Sequence, residues 1–245
     1  MKENNLDKCI RVNFKMVDNE IAAASCMSLF VVFCIMTLWL SVLAIVPLIV
    51  TFVYLFKMYK KLFYTSVYGE TAVTYQSMPV SAAEMTAAKI FVAGIGNIIC
   101  VVTYIVVIAA FLFFLGGSSL SGLIANIQKI VADLSADGGI AAYTLVLAMV
   151  TLIASTFMQS ALIFLAVVAY QSVVREEKKG LYRFLIITGA YVINQLLGRS
   201  GTLLEKLGID SLIIPVVIGI VLSIVVMVVC YRKTVKLLEE KYEWG

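Results

Sequence analysis

Few side chains in these 245 residues have the chemistry to make or break bonds. There is no His, which excludes imidazole metal sites, Ser-His-Asp triads and His proton switches. The five Cys stand at 9, 26, 34, 100 and 230 with no CxxC pair, so soft apolar packing explains them better than disulfides or a metal. No GxxxxGK[ST] loop occurs to cradle a nucleotide phosphate, and Gly94-Ile95-Gly96 falls in an apolar stretch where it reads as packing. With no nucleophile–base set and no ligand cluster, the chain is assigned no catalytic residue, no metal site and no cofactor of its own. Neutral polar residues remain inside apolar stretches: Asn97, Thr103 and Tyr104, then Ser155, Thr156, Gln159 and Ser160, then Asn194 and Gln195. Hydrogen bonding between helices, at about 0.6–2 kcal/mol each, is the favoured reading. A weakly polar path through Asn97, Tyr104, Gln159, Asn194 and Gln195 is the functional alternative.

The elements that must position these groups follow from composition. Hydrophobic residues make up 62% of the chain and charged residues 14%, against about 25% charged in soluble domains. A soluble domain, a disordered chain and a nucleic-acid binder with a broad basic face are thereby excluded. Charge-free runs cover 21–56, 90–128, 138–174, 184–198 and 211–231. A helix needs about 20 apolar residues to cross a bilayer core of about 30 Å. The run 21–56 would make a helix of about 54 Å, and 138–174 is nearly as long.

Lys and Arg placement chooses between them. Taking 21–56 as two spans and 138–174 as one gives six, at about 21–38, 40–57, 90–115, 141–168, 182–198 and 211–231, with Arg183 snorkelling at the rim of the fifth. Both ends are then cytoplasmic, and 16 of the 19 Lys and Arg residues lie inside, leaving Lys129, Arg199 and Lys206 outside. The chain is thus expected to be a single all-α, polytopic membrane domain over 1–245. Residues 1–20 carry too many charges for a cleavable signal peptide. Leu6, Ile10, Phe14 and Val17, with Lys8, Arg11 and Lys15 between them, predict an amphipathic helix on the cytoplasmic leaflet, in contact with membrane lipid. Residues 116–140 form an external connection with an amphipathic repeat.

No Asp, Glu, Lys, Arg or His falls within the apolar body of any expected span. A mid-bilayer charge costs at least about 2.5–3.5 kcal/mol and is kept for a purpose. Its absence argues against an ion-coupled transporter, a voltage sensor, a carboxylate-based intramembrane protease and a charged selectivity ring.

The cytoplasmic connection 58–89 is the most informative stretch. It contains Tyr68-Gly69-Glu70-Thr71, then Met78-Pro79-Val80-Ser81, then Glu84, and Lys89 at the foot of the third span. Pro79 disfavours helix at Met78, so a new helix is expected to start just after it. Ser81 followed by Glu84 is a capping-box pattern. This stretch resembles the connection between spans two and three of the type-2 ABC exporter permeases common in Gram-positive bacteria. Their connection reads roughly Tyr-Gly, an acidic residue, Leu-Pro-Val-Ser, and a Lys entering span three. Met78 stands here for the usual Leu and Thr71 for a frequent Gly. The longest external segment also joins spans three and four, where many members elaborate the link between five and six. The resemblance implies that Tyr68, Gly69, Glu70, Met78, Pro79, Val80, Ser81, Glu84 and Lys89 dock a separate ATP-binding subunit, which carries ATP and Mg. It also implies a plasma-membrane location, pairing with a second copy or a related permease, and export of a hydrophobic or antimicrobial peptide, drug or lipid-like molecule. ATPase activity would reside on the partner, so the chain is not expected to be an enzyme by itself. The rival is a non-transporting immunity or assembly protein that binds a partner.

Overall fold

The structure, a computed structural model, describes residues 5–36, 45–69, 80–115, 140–173 and 213–242. Every regular element among them is helical: α1 (Asn5–Met36), α2 (Ile45–Tyr59), a π-helical segment π1 (Lys60–Thr65), the single turn α3 (Ser66–Tyr68), α4 (Ala82–Leu115), α5 (Ile140–Val173) and α6 (Ile213–Tyr242). Three of these contain stretches long and apolar enough to cross a membrane: Ala82–Val106, Met149–Gln171 and Val216–Glu240. They match the expected third, fourth and sixth spans and give the chain the character of a membrane protein. The turn of the first hairpin, the external segment 116–139, the fifth span and residues 70–79 of the connection lie outside the described residues.

The N-terminal leader differs from its expected form. No break separates it from the first span, since α1 runs continuously from Asn5 to Met36. Its buried positions Cys9, Asn13, Val17, Ile21, Ala24, Ser28 and Val31 recur every three or four residues as one seam. Leu6, Ile10 and Phe14 pack beside that seam on the protein core. The apolar stripe of the leader is partly covered by protein. Lys61 of π1 fixes the arrangement by pairing with Glu20 at 2.6 Å and donating to the Met16 carbonyl at 3.4 Å.

The helices are drawn together at one end. There Met58, Leu62, Phe63 and Val67 meet Met85, Ala88 and Val92 of α4, Phe164 and Val168 of α5, and Leu238 of α6. The Phe63 and Phe164 rings stack at 4.5 Å with planes 13° apart. Glycines in α4 permit the close approach that the sequence predicts. A Cβ on Gly94 would lie 2.6 Å from the Phe157 ring, and one on Gly96 would lie 2.8 Å from the Met58 sulfur. Gly219 of α6 has nothing within 4 Å of such an atom. Away from the packed end, large apolar side chains such as Phe30, Phe52, Ile105, Met149 and Val225 are exposed, as a bilayer or partner requires.

Candidate functional site

The packed end is where the two feet of the 70–79 connection stand. The incoming foot is π1 and α3. In a π-helix the backbone bonds from i to i+5, and the Ser66 N–H accordingly reaches the Lys61 carbonyl. The incoming chain closes at Gly69, whose N–H donates to the Thr65 carbonyl at 3.0 Å. Gly69 has an extended backbone, but a Cβ there would meet the Thr65 carbonyl oxygen at 2.8 Å and the Thr65 Cα at 2.9 Å. The need for glycine is therefore one of room.

The outgoing foot is the capped start of α4. The Ser81 N–H donates to Glu84 Oε2 at 2.9 Å, the Ser81 hydroxyl donates to the same oxygen at 3.0 Å, and the Glu84 N–H donates to Ser81 Oγ at 3.2 Å. This is the reciprocal capping box expected from the residue types, and the helix begins at Ala82, just past Pro79. The Tyr231 hydroxyl of α6 donates to the Ala83 carbonyl at 3.2 Å, holding the first turn against the bundle.

Lys89 joins the two feet. It lies two turns inside α4 and is wholly buried in protein. The physical reason is the position of the cap: with α4 starting at Ala82, residue 89 shares a face with buried Met85, Val92 and Ala93. Side chains on a helix lean toward its N-terminus, so the amine reaches back toward the connection. Lys89 Nζ donates to the Leu62 carbonyl at 2.6 Å and to Ser66 Oγ. The Ser66 hydroxyl in turn donates to the Leu62 carbonyl at 2.5 Å. An ammonium can only donate, so the cation holds a carbonyl and a hydroxyl oxygen near the C-terminal end of the incoming helix, where the backbone dipole favours positive charge. The Cys9 thiol belongs to the same neighbourhood. Burial pushes it above its ordinary value, Lys89 and the Asn13 hydrogen bond pull it back, and Glu84 adds to the rise.

A Ser–Lys pair has the composition of a nucleophile and its base. Here Ser66 and Lys89 are both buried, and the Ser66 hydroxyl hydrogen is directed to a backbone carbonyl. The geometry is that of a clamp. No group of three or more metal-ligating side chains converges among the described residues.

Of the expected docking residues, Tyr68 and Val80 pack at the edge of the core, Gly69 and Ser81 end the two feet, and Glu84 forms the cap. Glu70, Met78 and Pro79 lie outside the described residues. Among the described path residues, Asn97, Tyr104 and Gln159 do not converge. Asn97 Nδ2 donates to the Tyr59 hydroxyl and, at 3.4 Å, to Ser160 Oγ, joining α2, α4 and α5 as an interhelical polar contact. Gln159 is exposed on another face, Tyr104 is half-buried two turns further along α4, and Asn194 and Gln195 lie outside the described residues. The roles of Ser66, Leu62 and Tyr59 were missed. Counting charge-free runs placed the boundary at residue 90 and hid that Lys89 continues the apolar seam. The spacing Met85, Lys89, Val92 and Gly96 carried that signal.

Comparisons with protein-family models, curated proteins and solved structures return no match for this chain. The functional reading therefore rests on the residues themselves.

Proposed function

We propose that this chain is the membrane-spanning permease subunit of an ATP-driven exporter. It crosses the plasma membrane six times, pairs with a second copy or a related permease, and couples to a separate ATP-binding subunit through residues 68–89. The observation that carries the reading is the clamp at the base of that connection. Lys89, Ser66 and the Leu62 carbonyl tie its two feet together, while the Ser81–Glu84 box and Tyr231 stiffen the outgoing one. A connection on a rigid base passes a push from a soluble partner to α2 and α4 together, where a loose one would absorb it. No P-loop occurs in the sequence, so the nucleotide is bound by the partner. Hydrolysis there switches two six-span halves between inward-open and outward-open packings. Cargo is a hydrophobic or antimicrobial peptide, drug or lipid-like molecule, matching the neutral, weakly polar groups of the spans.

The test is copurification with an ATP-binding-cassette ATPase from the native membrane, followed by ATP-driven efflux in proteoliposomes. Glu70→Lys is expected to abolish both while leaving the permease folded. Complex formation and efflux that survive this change and a reshaped Met78–Ser81 stretch refute the coupling role. Partner capture without ATP-driven efflux would instead mark the chain as an immunity or assembly protein.

A further inference from the structure

The Leu62 carbonyl stands where π1 gives way to α3. In α winding the Ser66 N–H would donate four residues back, to that carbonyl. It donates five residues back instead, to the Lys61 carbonyl. Ordinary α bonding has resumed by Gly69, whose N–H reaches the Thr65 carbonyl. The Leu62 carbonyl is therefore passed over by the amide that an α-helix would assign to it. Leu62 is wholly buried, and a buried carbonyl is rarely left without a donor. Two side chains fill the gap: the Ser66 hydroxyl at 2.5 Å and Lys89 Nζ at 2.6 Å. The oxygen has two lone pairs, and both are then taken.

The two donors differ in what they permit. A serine hydroxyl bonded to the carbonyl four residues back occurs inside ordinary α-helices, where the backbone N–H shares that oxygen. The ammonium is the additional occupant that keeps the Ser66 N–H away. Nothing else in Lys60–Thr65 dictates π winding, since the segment contains neither Gly nor Pro and π-helices are rare. The upstream side is seated independently: Met58 packs against Gly96, and the Tyr59 hydroxyl accepts from Asn97. Rewinding would shift Phe63 on Phe164 and Lys61 on Glu20, so π is the resting form while Lys89 is in place.

We propose that π1 is a two-state segment whose winding is set by Lys89. With its amine on the Leu62 carbonyl the stretch is held as π-helix. When the amine is withdrawn, the Ser66 N–H takes that carbonyl and the stretch closes as α-helix. Any displacement of α4 that carries the amine more than about 1 Å further from the carbonyl ends a 2.6 Å bond, so the winding of π1 follows the seating of α4. The device needs only the contact between α4 and π1 and stands apart from the exporter reading.

The test uses the full chain in nanodiscs and pulsed electron–electron distance measurements. Nitroxides are carried on p-acetylphenylalanine, so the native cysteines stay. One label replaces Tyr68, beyond π1, and its partner replaces exposed Lys15 of α1 or exposed Lys233 of α6. A control label replaces exposed Phe56 of α2. Ser66→Ala keeps the ammonium on the carbonyl and is expected to retain the native distances. Ser66→Ala with Lys89→Met removes both side-chain donors and leaves the backbone N–H at residue 66 as the donor in reach. Rewinding then turns residue 68 by about 100° on a radius of 5–6 Å, roughly 8 Å at the side-chain tip. From Lys15 or Lys233 this is read as a change of about 4 Å or more, with the Phe56 distances unchanged. Native distances from Tyr68 in the double variant overturn the proposal. So does a broader distribution about the native mean, which is loosening rather than a second winding. Equal movement of the Phe56 label, or displacement by Ser66→Ala alone, removes the role given to the cation. Failure of the double variant to fold also overturns it, because α winding leaves the carbonyl paired.

Discussion

The buried clamp of Lys89, Ser66 and the Leu62 carbonyl can be measured by a double-mutant cycle. In the native chain, Ser66→Ala takes one of two identified acceptors away from a buried cation, and hydrogen bonds to charged groups contribute about 1.5–3 kcal/mol. In the Lys89→Met background, the same change removes only a neutral hydroxyl-to-carbonyl bond, worth about 0.5–1.5 kcal/mol. That neutral bond is lost in both backgrounds and cancels, so the coupling energy is expected to be about 1.5–3 kcal/mol, within the usual range for residues in contact. Lys89→Met alone loses both bonds but also removes the desolvation cost of a buried ammonium, and Met nearly matches its volume. Its own effect should be small, within about 1.5 kcal/mol. Any other group that Lys89 touches contributes equally to both sides of the cycle and cancels. The assay is reversible unfolding of the four full-length proteins in mixed micelles by titration with a denaturing detergent. Additivity to within about 0.5 kcal/mol would show that the two side chains do not share a site, and the base of the connection would lose its stiffness argument.

Three further outcomes are expected. Gly94→Ala should destabilise by about 1–3 kcal/mol through its clash with the Phe157 ring, whereas Gly219→Ala should be neutral or stabilise by up to about 1 kcal/mol; equal effects in the same unfolding assay would contradict the packing of α4 on α5. In a chain keeping Cys9 as its sole thiol, alkylation should be slow at pH 8 and still accelerating above pH 9, because a raised value keeps the protonated, unreactive form in place past the ordinary 9.0; a plateau at or below pH 9 would oppose this. Cysteines introduced by Lys60→Cys and Lys233→Cys, both at exposed positions, should each be shielded from an impermeant reagent in intact cells, and labelling of either from outside would overturn the expected orientation.

Much of the local structure was legible because single residues dictate it. Ser81 and Glu84 specify a cap through their side-chain chemistry alone, and the start of α4 follows. The apolar runs between charges located the helices that can cross a membrane, because length and hydropathy are all that such a crossing demands. Tertiary relations were less legible. The stripe of Leu6, Ile10 and Phe14 is apolar whether lipid or protein covers it, so periodicity could not say that α1 packs as one rod against the core. Lys89 misled for a related reason: its charge marked the end of an apolar run, while its position continued an apolar face. The acceptors that make its burial tolerable, the Leu62 carbonyl and Ser66 Oγ, lie 27 and 23 residues away in sequence, and only the fold brings them together. The candidate path residues show the same limit, since Asn97 and Gln159 look alike in sequence yet one is held by Tyr59 and Ser160 and the other faces outward.

The six residues Lys60–Thr65 are wound more loosely than the helix that precedes them. A π turn holds an extra residue over the length of an α turn, so this stretch contains slack. Were Lys60–Thr65 to tighten into α winding, everything downstream to Gly69 would rotate by about a third of a turn while α2 stayed seated. The amine of Lys89 grips the chain inside this slack, at the Leu62 carbonyl. The strut leading to the connection thus has a built-in swivel with a pin through it, and the angle at which the connection leaves the bundle depends on whether the pin is in.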